Sequence, residues 1–388
     1  MHLDYTDKQR AFRAEVREWL AAHVPAQPLQ TYDTEEGFRQ HREWEAILHQ
    51  GRWTMVTWPE ELGGRGSDLV EWLIFEEEYY RAGAPKRVNM NGICLLGPTL
   101  MEYGTEAQKA RILPKMASGE EVWAQAWSEP NAGSDMAAIR ARADRKGDNY
   151  VINGQKIWST RAVWADWCFG MFRTDPESER HHGLTFILVP LDTPGITVRP
   201  IPQLDGLPGF AEIFFDDVEV PVENRLGDEG AGWSVAMATA GFERGLMLRA
   251  PARFQETARR LVELYKANRE SADRDPAIRD AVIRAYLDAE SYCLTTYQTA
   301  CRLNRGGKIG PESSTNKIFW SELDQAMCAA AMSILGARAE LQPHAPAAAG
   351  VGTWLDDFLF AQSGPIYAGS NEIQRNIIAE RMLGMPRK

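Results

Sequence analysis

Three short stretches carry the side chains and backbone that could do chemistry, and each stands at the end of an element. The first is WSEPNAGSD, residues 127–135. It follows an aromatic strand and offers Ser128 and Ser134 on a turn whose Pro130 and Gly133 predict a rigid loop. Exposed amides and hydroxyls on such a loop can bind an anion or the edge of a heterocycle. The second is INGQKIWST, residues 152–160. Trp158 gives a large flat face and Thr160 a hydroxyl two residues on, so one side of a strand end can present both to a planar ligand. The third is YAGSNEIQRNIIAERM, residues 367–382. Ala368, Gly369 and Ser370 form a small-residue turn, Ser370 can cap the helix that follows, and Glu372 lies in its first turn, where negative charge is favoured. Ile373, Ile377, Ile378 and Met382 predict a buried stripe on that helix. The turn at 367–369 offers no carboxylate or imidazole, so a proton acceptor must come from elsewhere.

The elements that must position these stretches change period twice. Up to residue 121 the pattern is helical. Phe12, Val16, Trp19 and Leu20 recur at three- and four-residue spacing behind a Thr6 or Asp7 cap. Thr105 and Gln108 predict a capping box. From 122 to 229 the period becomes two, in short runs such as LTFILVPL and FAEIFFDDVEV, and Asn153-Gly154 reads as a hairpin turn. From 230 to 388 long helical segments return, enough for a four-helix bundle. The expected fold is α+β and multidomain: an N-terminal α-helical domain (1–121), a middle β sandwich or barrel (122–229) and a C-terminal four-helix bundle (230–388). Apolar stripes on more than one bundle face predict an oligomer, a dimer or tetramer.

The totals restrict the partners. A net charge of −11 over 388 residues argues against nucleic acid or an anionic membrane surface. No apolar run approaches the roughly 18–20 residues that a membrane helix needs. The N-terminal stretch is charged from its fourth residue and lacks the apolar segment of a signal peptide. The five cysteines are scattered and never paired as CxxC, which suits free thiols in a reducing, cytoplasmic setting. The histidines offer no metal set, so no metal is expected. Neither GxGxxG after a strand, nor GxxxxGK[ST], nor GxSxG is present.

Together the three stretches resemble the acyl-CoA dehydrogenase family of flavoproteins, over nearly the whole chain. WSEPNAGSD resembles the family's first signature, INGQKIWST its flavin-contacting strand, and IYAGSNEIQRNIIAERMLG its second signature. The resemblance implies a bound FAD and α,β-dehydrogenation of an acyl-CoA thioester, with electrons passed to an electron-transfer flavoprotein. It implies that Gln125, Ser128 and Ser134 line the flavin and the start of the CoA channel. Trp158 would flank the ring, the Thr160 hydroxyl would reach N5, and Ser370 and Glu372 would contact FAD. It places Ala368 and Gly369 at the thioester, where the Ala368 backbone N–H supports the carbonyl oxygen.

Most members carry the catalytic Glu where this chain has Ala368. Others carry it on a C-terminal-domain helix immediately before an Arg, and TAGFERGLML offers Glu243-Arg244 there. Glu243 is therefore the expected base, with Arg244 beside the substrate. Apolar neighbours (Phe242, Leu246, Met247, Leu248) should raise its pKa and Arg244 should lower it. Members with this arrangement often act on branched, long or polycyclic acyl groups. Two departures stand out: the Arg-x-x-Phe-Gly motif is missing from NRESADRDPAIRD, and the later glycine-rich stretch is reduced to ILGARAEL. They imply an FAD site rebuilt in part, or completed by a non-identical partner in a heterotetramer. An oxygen-using oxidase or monooxygenase on this fold, or a non-catalytic subunit, are the alternative expectations.

Overall fold

The computed structural model describes residues 4–243, 249–342, 345–348 and 351–386, with Glu243 described by its backbone alone. Helices α1 (Asp7–His23), α2 (Glu35–Gln50), α3 (Leu69–Arg81), α4 (Gly97–Tyr103) and α5 (Glu106–Ala117) come first. Strands β1 (Trp123–Ala126), β2 (Arg142–Lys146), β3 (Asn149–Thr160) and β4 (Trp167–Arg173) follow. Then come β5 (Leu184–Pro190), β6 (Ile196–Ile201), β7 (Phe210–Pro221) and β8 (Arg225–Leu226). The chain ends in helices α6 (Gly232–Glu243), α7 (Pro251–Ala267), α8 (Arg269–Ala272), α9 (Pro276–Asn304), α10 (Ser313–Leu335), α11 (Trp354–Ala361) and α12 (Asn371–Ile377). The order helices, sheet, helices is the one the changing period implies. Starts are set locally: Gln9 N donates to Thr6 Oγ1 (3.2 Å) while Thr6 N donates to Gln9 Oε1 (3.0 Å). Thr105 and Gln108 repeat this capping box on α5, each cap contributing about 1 kcal/mol.

The chain divides into two compact units. One gathers α1, α3 and the helices from α7 onward. Its core is aromatic and aliphatic, with Phe254, Leu261, Tyr292, Trp320, Leu323 and Met327 packed between α7, α9 and α10. The expected buried stripe on the last helix is corrected here: Ile373 and Met382 are 37% and 45% exposed. Asn371 and Gln374, at i, i+3 spacing, are the buried residues of α12 instead, and Ile377 and Ile378 are half-buried. Polar contacts to α10, described below, turn Asn371 inward.

The other unit holds Pro25–Ser67 and Pro85–Glu243. Its strands form one eight-stranded sheet in the order β6-β7-β3-β2-β4-β5-β8, with β1 pairing parallel to β4. Inward residues of alternating register, including Ala124, Tyr150, Ile152, Cys168, Phe172 and Ile213, fill its core. The hairpin expected at Asn153-Gly154 is also corrected. The turn lies one strand-length earlier, at Gly147-Asp148, between the paired Lys146 and Asn149. Gly154 sits inside β3 at a register shift, with φ +144°, and a Cβ there would lie 2.6 Å from the Ala141 Cβ. The glycine marks a bulge with close backbone approach rather than a turn. Among the described residues no helix is long and apolar enough to cross a membrane, and no cluster of His, Cys, Asp or Glu could hold a metal ion.

Candidate active site

In the sheet unit, β1 ends in the loop that carries Ser128 and Ser134. The loop is fixed by a buried carboxylate. Glu129 accepts the backbone amides of Arg140 (2.6 Å) and Ala141 (2.9 Å), and pairs with the Lys156 ammonium at 2.9 Å. Lys156 is fully buried on β3 and also donates to the Met171 carbonyl at 2.7 Å. Burial pushes its ammonium below the ordinary lysine range, and Glu129 pulls it back up. The rigidity expected from Gly133 has another source: nothing lies near its Cβ direction and its φ is ordinary, so the Glu129 contacts do the fixing. Sequence reasoning passed over Glu129 and Lys156. Neither carries a mark of burial in the sequence; only the fold brings the two charges together.

The same ion pair ties the loop to the end of β3. Ile157 N donates to the Ser128 carbonyl at 2.9 Å, which brings Ser128 beside the Trp158–Thr160 strand end. A second register shift falls between Lys156 and Ser159. Trp158 lies in the left-handed region, at φ +62°, and its indole is 57% exposed, edge-on to Phe210 at 6.1 Å. Trp158 is exposed, Ser159 buried and Thr160 half-buried. The side chains of Gln125, Ser128 and Thr160 make no hydrogen bond among the described residues. Among the described residues the buried Trp127 indole N–H has no partner. Ser134 lies further along the loop, exposed, next to Asp135, which pairs with Arg180 at 2.9 Å.

Helix α6 packs along β5 in this unit; at Gly232 a Cβ would lie 2.6 Å from the Phe186 backbone nitrogen. Its last described residue is Glu243. The Glu243 side chain and Arg244 lie outside the described residues.

Ala368, Gly369, Ser370 and Glu372 belong to the helical unit. Ala368 (φ +56°) and Gly369 (φ +77°) are consecutive left-handed residues. Among the described residues the backbone amides of Ala368, Gly369 and Ser370 have no acceptor, whereas Asn371 N donates to the Pro365 carbonyl at 2.8 Å. Ser370 Oγ accepts from Ile373 N and caps α12. Glu372 is exposed at the start of that helix. Hydrogen bonding from its own amide and from Ser370 holds its carboxyl below the ordinary range. An Ala in the left-handed region costs roughly 1 kcal/mol, so the turn is maintained by its surroundings.

Family models for the N-terminal, middle and C-terminal domains of acyl-CoA dehydrogenases match residues 6–120, 124–218 and 230–383. The chain belongs to the acyl-CoA dehydrogenase family. It is 40% identical over 390 residues to the acyl-CoA dehydrogenase IpdE1 of Mycobacterium tuberculosis, covering 97% of this chain and 98% of that one. Among solved structures it is similar to the steroid ACAD Tcur3481-Tcur3483, with a TM-score of 0.86, 29% identity and full coverage of both chains. It is also similar to the ChsE4-ChsE5 complex of Mycobacterium tuberculosis, with a TM-score of 0.82, 30% identity and full coverage of both.

Membership of the acyl-CoA dehydrogenases implies a flavin, and the residues present fit one. An exposed indole plane at Trp158 directly follows Ile157, whose amide is bonded to Ser128, and among the described residues the buried Trp127 N–H has no partner. In the helical unit three successive unpaired amides form a separate donor set.

Proposed function

We propose that this acyl-CoA dehydrogenase removes the α proton and β hydride of an acyl-CoA thioester, with FAD as its cofactor and Glu243 as its base. The observation that carries the reading is the tail turn. Ala368 has no carboxylate to offer, yet among the described residues its amide and the two after it have no acceptor. A backbone donor survives the loss of the side chain, so the turn can stabilise developing negative charge while the base comes from another element.

In this reading the Ala368 amide donates to the thioester carbonyl oxygen as the enolate forms, and Gly369 allows close approach. Glu243 takes the α proton, and Arg244 and Ser134 face the substrate. Gln125, Ser128, Trp158, Thr160, Ser370 and Glu372 hold the flavin. A bound FAD supplies the acceptor for the hydride that leaves the β carbon. The proposed electron acceptor is an electron-transfer flavoprotein.

An empty position at 368 leaves room beside the α carbon, which favours a bulky acyl group. The likeness to a steroid ACAD supports a polycyclic one. Likeness to the ChsE4-ChsE5 complex supports assembly with a second, different chain. Exposed Ile283, Tyr286, Leu287 and Leu294 on α9 offer an apolar face for a homo- or heterotetramer.

The test mixes the flavin-loaded protein with a panel of acyl-CoAs without oxygen and follows loss of the flavin absorbance. Glu243→Gln is expected to keep the flavin and lose bleaching by several orders of magnitude. Near-normal reduction in that variant removes Glu243 from its role. Purifying the chain alone tests the assembly: a colourless or insoluble product points to an obligatory second chain.

A further inference from the structure

Two ends of the tail turn meet at one buried cation. Lys317 on α10 is 2% exposed, and its ammonium donates to the Gly364 carbonyl at 2.6 Å and to Asn371 Oδ1 at 2.9 Å. Gly364 begins the segment that leads into the turn, and Asn371 is the first residue after it. One helical turn on, the Ser321 hydroxyl donates to the same Asn371 oxygen at 3.1 Å. Between them Trp320 packs on Tyr367, with ring centroids 5.9 Å apart. The Lys317 ammonium lies 5.4 Å from the Trp320 ring centroid and 6.0 Å from that of Tyr367. At the far side Gln374 Nε2 donates to the Gly369 carbonyl at 3.2 Å.

We propose that Lys317 is a positioning residue: by joining Gly364 to Asn371 it holds Ala368 and Gly369 in their left-handed conformation, with the unpaired amides presented as donors to the thioester oxygen. This rests on the dehydrogenase reading above. Two consecutive left-handed residues, one of them not glycine, do not persist without restraint. Hydrogen bonds from a cation are stronger than neutral ones, and in a buried setting they fix the distance between their acceptors. Lys317, Trp320 and Ser321 lie at i, i+3 and i+4, so a single face of α10 templates the turn. The carboxylate that most members place at 368 is not needed for this. The clamp acts on backbone and on Asn371, neither of which the change to alanine touches.

The test compares wild type with Lys317→Met, which keeps the length of the side chain and removes its charge and donors. Two readouts are taken on the flavin-loaded protein: amide hydrogen exchange of the peptide 364–373 without substrate, and the single-turnover rate of flavin reduction by an acyl-CoA that bleaches wild type. The expected result is faster exchange confined to that peptide and a reduction rate about 100-fold lower, since a misplaced donor or a shift of about 1 Å costs on that order. Flavin content and the thioester concentration for half-maximal rate should stay within about threefold, where a general loss of fold would lower both the flavin content and the melting temperature. Should Lys317→Met not accumulate as folded protein, Asn371→Ala removes the second acceptor and carries the same expectation. Unchanged exchange, or a reduction rate within twofold of wild type, overturns the proposal. A wild-type protein that no acyl-CoA bleaches overturns the dehydrogenase reading instead, and the exchange experiment still judges the clamp.

Discussion

Lys156 and Glu129 form a buried ion pair, 2.9 Å apart, that joins the loop after β1 to the end of β3. The pair is closed on both sides, because Glu129 also accepts two backbone amides and Lys156 also donates to a carbonyl. Nearly all the hydrogen-bonding capacity of both groups is therefore used inside the unit. Ser128, Trp158 and Thr160 inherit their mutual placement from this pair.

Removing one partner should cost far more than removing both. Lys156→Met leaves a carboxylate buried without its counter-charge, and a loss of about 3–5 kcal/mol in unfolding free energy is expected. Adding Glu129→Gln should recover a large part of that loss, since an amide still accepts from Arg140 or Ala141. Urea unfolding of wild type and the two variants measures this; a loss below about 1 kcal/mol for Lys156→Met would show that the pair contributes little.

Gly154 is a second fixed point. A Cβ there would meet the Ala141 Cβ at 2.6 Å and its Cα at 2.7 Å, and the backbone φ of +144° is closed to most side chains. Gly154→Ala should destabilise by about 1–3 kcal/mol. By contrast Gly133→Ala has open space and an ordinary φ, and should change the unfolding midpoint hardly at all. Equal effects of the two substitutions would contradict the bulge as the reason for the glycine.

Why the sequence misled at Asn153-Gly154 and not at Thr105 or Ser370 is a matter of range. Helix caps are local: the donor and acceptor lie within three residues, so Thr6, Thr105 and Ser370 perform the roles their spacing implies. A glycine in a strand answers to whichever residue the sheet sets against it, here Ala141, thirteen positions earlier and visible only after pairing. The α12 stripe failed for the same reason. Its apolar residues suggested the buried side, but Asn371 bonded to Lys317 and Ser321 decides which side faces α10. The loop at 128–134, the strand end at 158–160 and the turn at 368–370 were legible as element ends because their cues are local. The buried ions that position them were not, because a lysine in a sequence carries no mark of burial.

Trp158 should serve the ligand and not the fold. Its indole is 57% exposed and touches Phe210 only edge-on. Trp158→Ala is expected to weaken flavin binding about tenfold, the size of one lost aromatic contact, and to leave the stability of the fold nearly unchanged. Flavin retention on dialysis, followed by absorbance, reads the first effect, and the melting temperature of the flavin-free protein reads the second. A variant that keeps its flavin as tightly as wild type would remove Trp158 from the binding surface.

Glu45 makes the stability of the sheet-bearing unit depend on pH. Its carboxyl is fully buried and accepts the Asn89 amide at 2.9 Å, with the Val88 amide also directed at it. Burial pushes its pKa up to about 7, against the downward pull of the Asn89 amide and of Arg87. In the unfolded chain the same group titrates near its ordinary value of 4.5. Between those two values the folded protein still holds the proton while the unfolded chain has lost it. Folding is then penalised as pH rises, by about 3 kcal/mol once both values are passed, and the penalty disappears below the lower one. Glu45→Gln keeps the acceptor for Asn89 and cannot ionise. It should match wild type near pH 4.5 and exceed it at pH 8, flattening the pH dependence of the urea midpoint across that interval. An unchanged slope in the variant would mean that some other group titrates there.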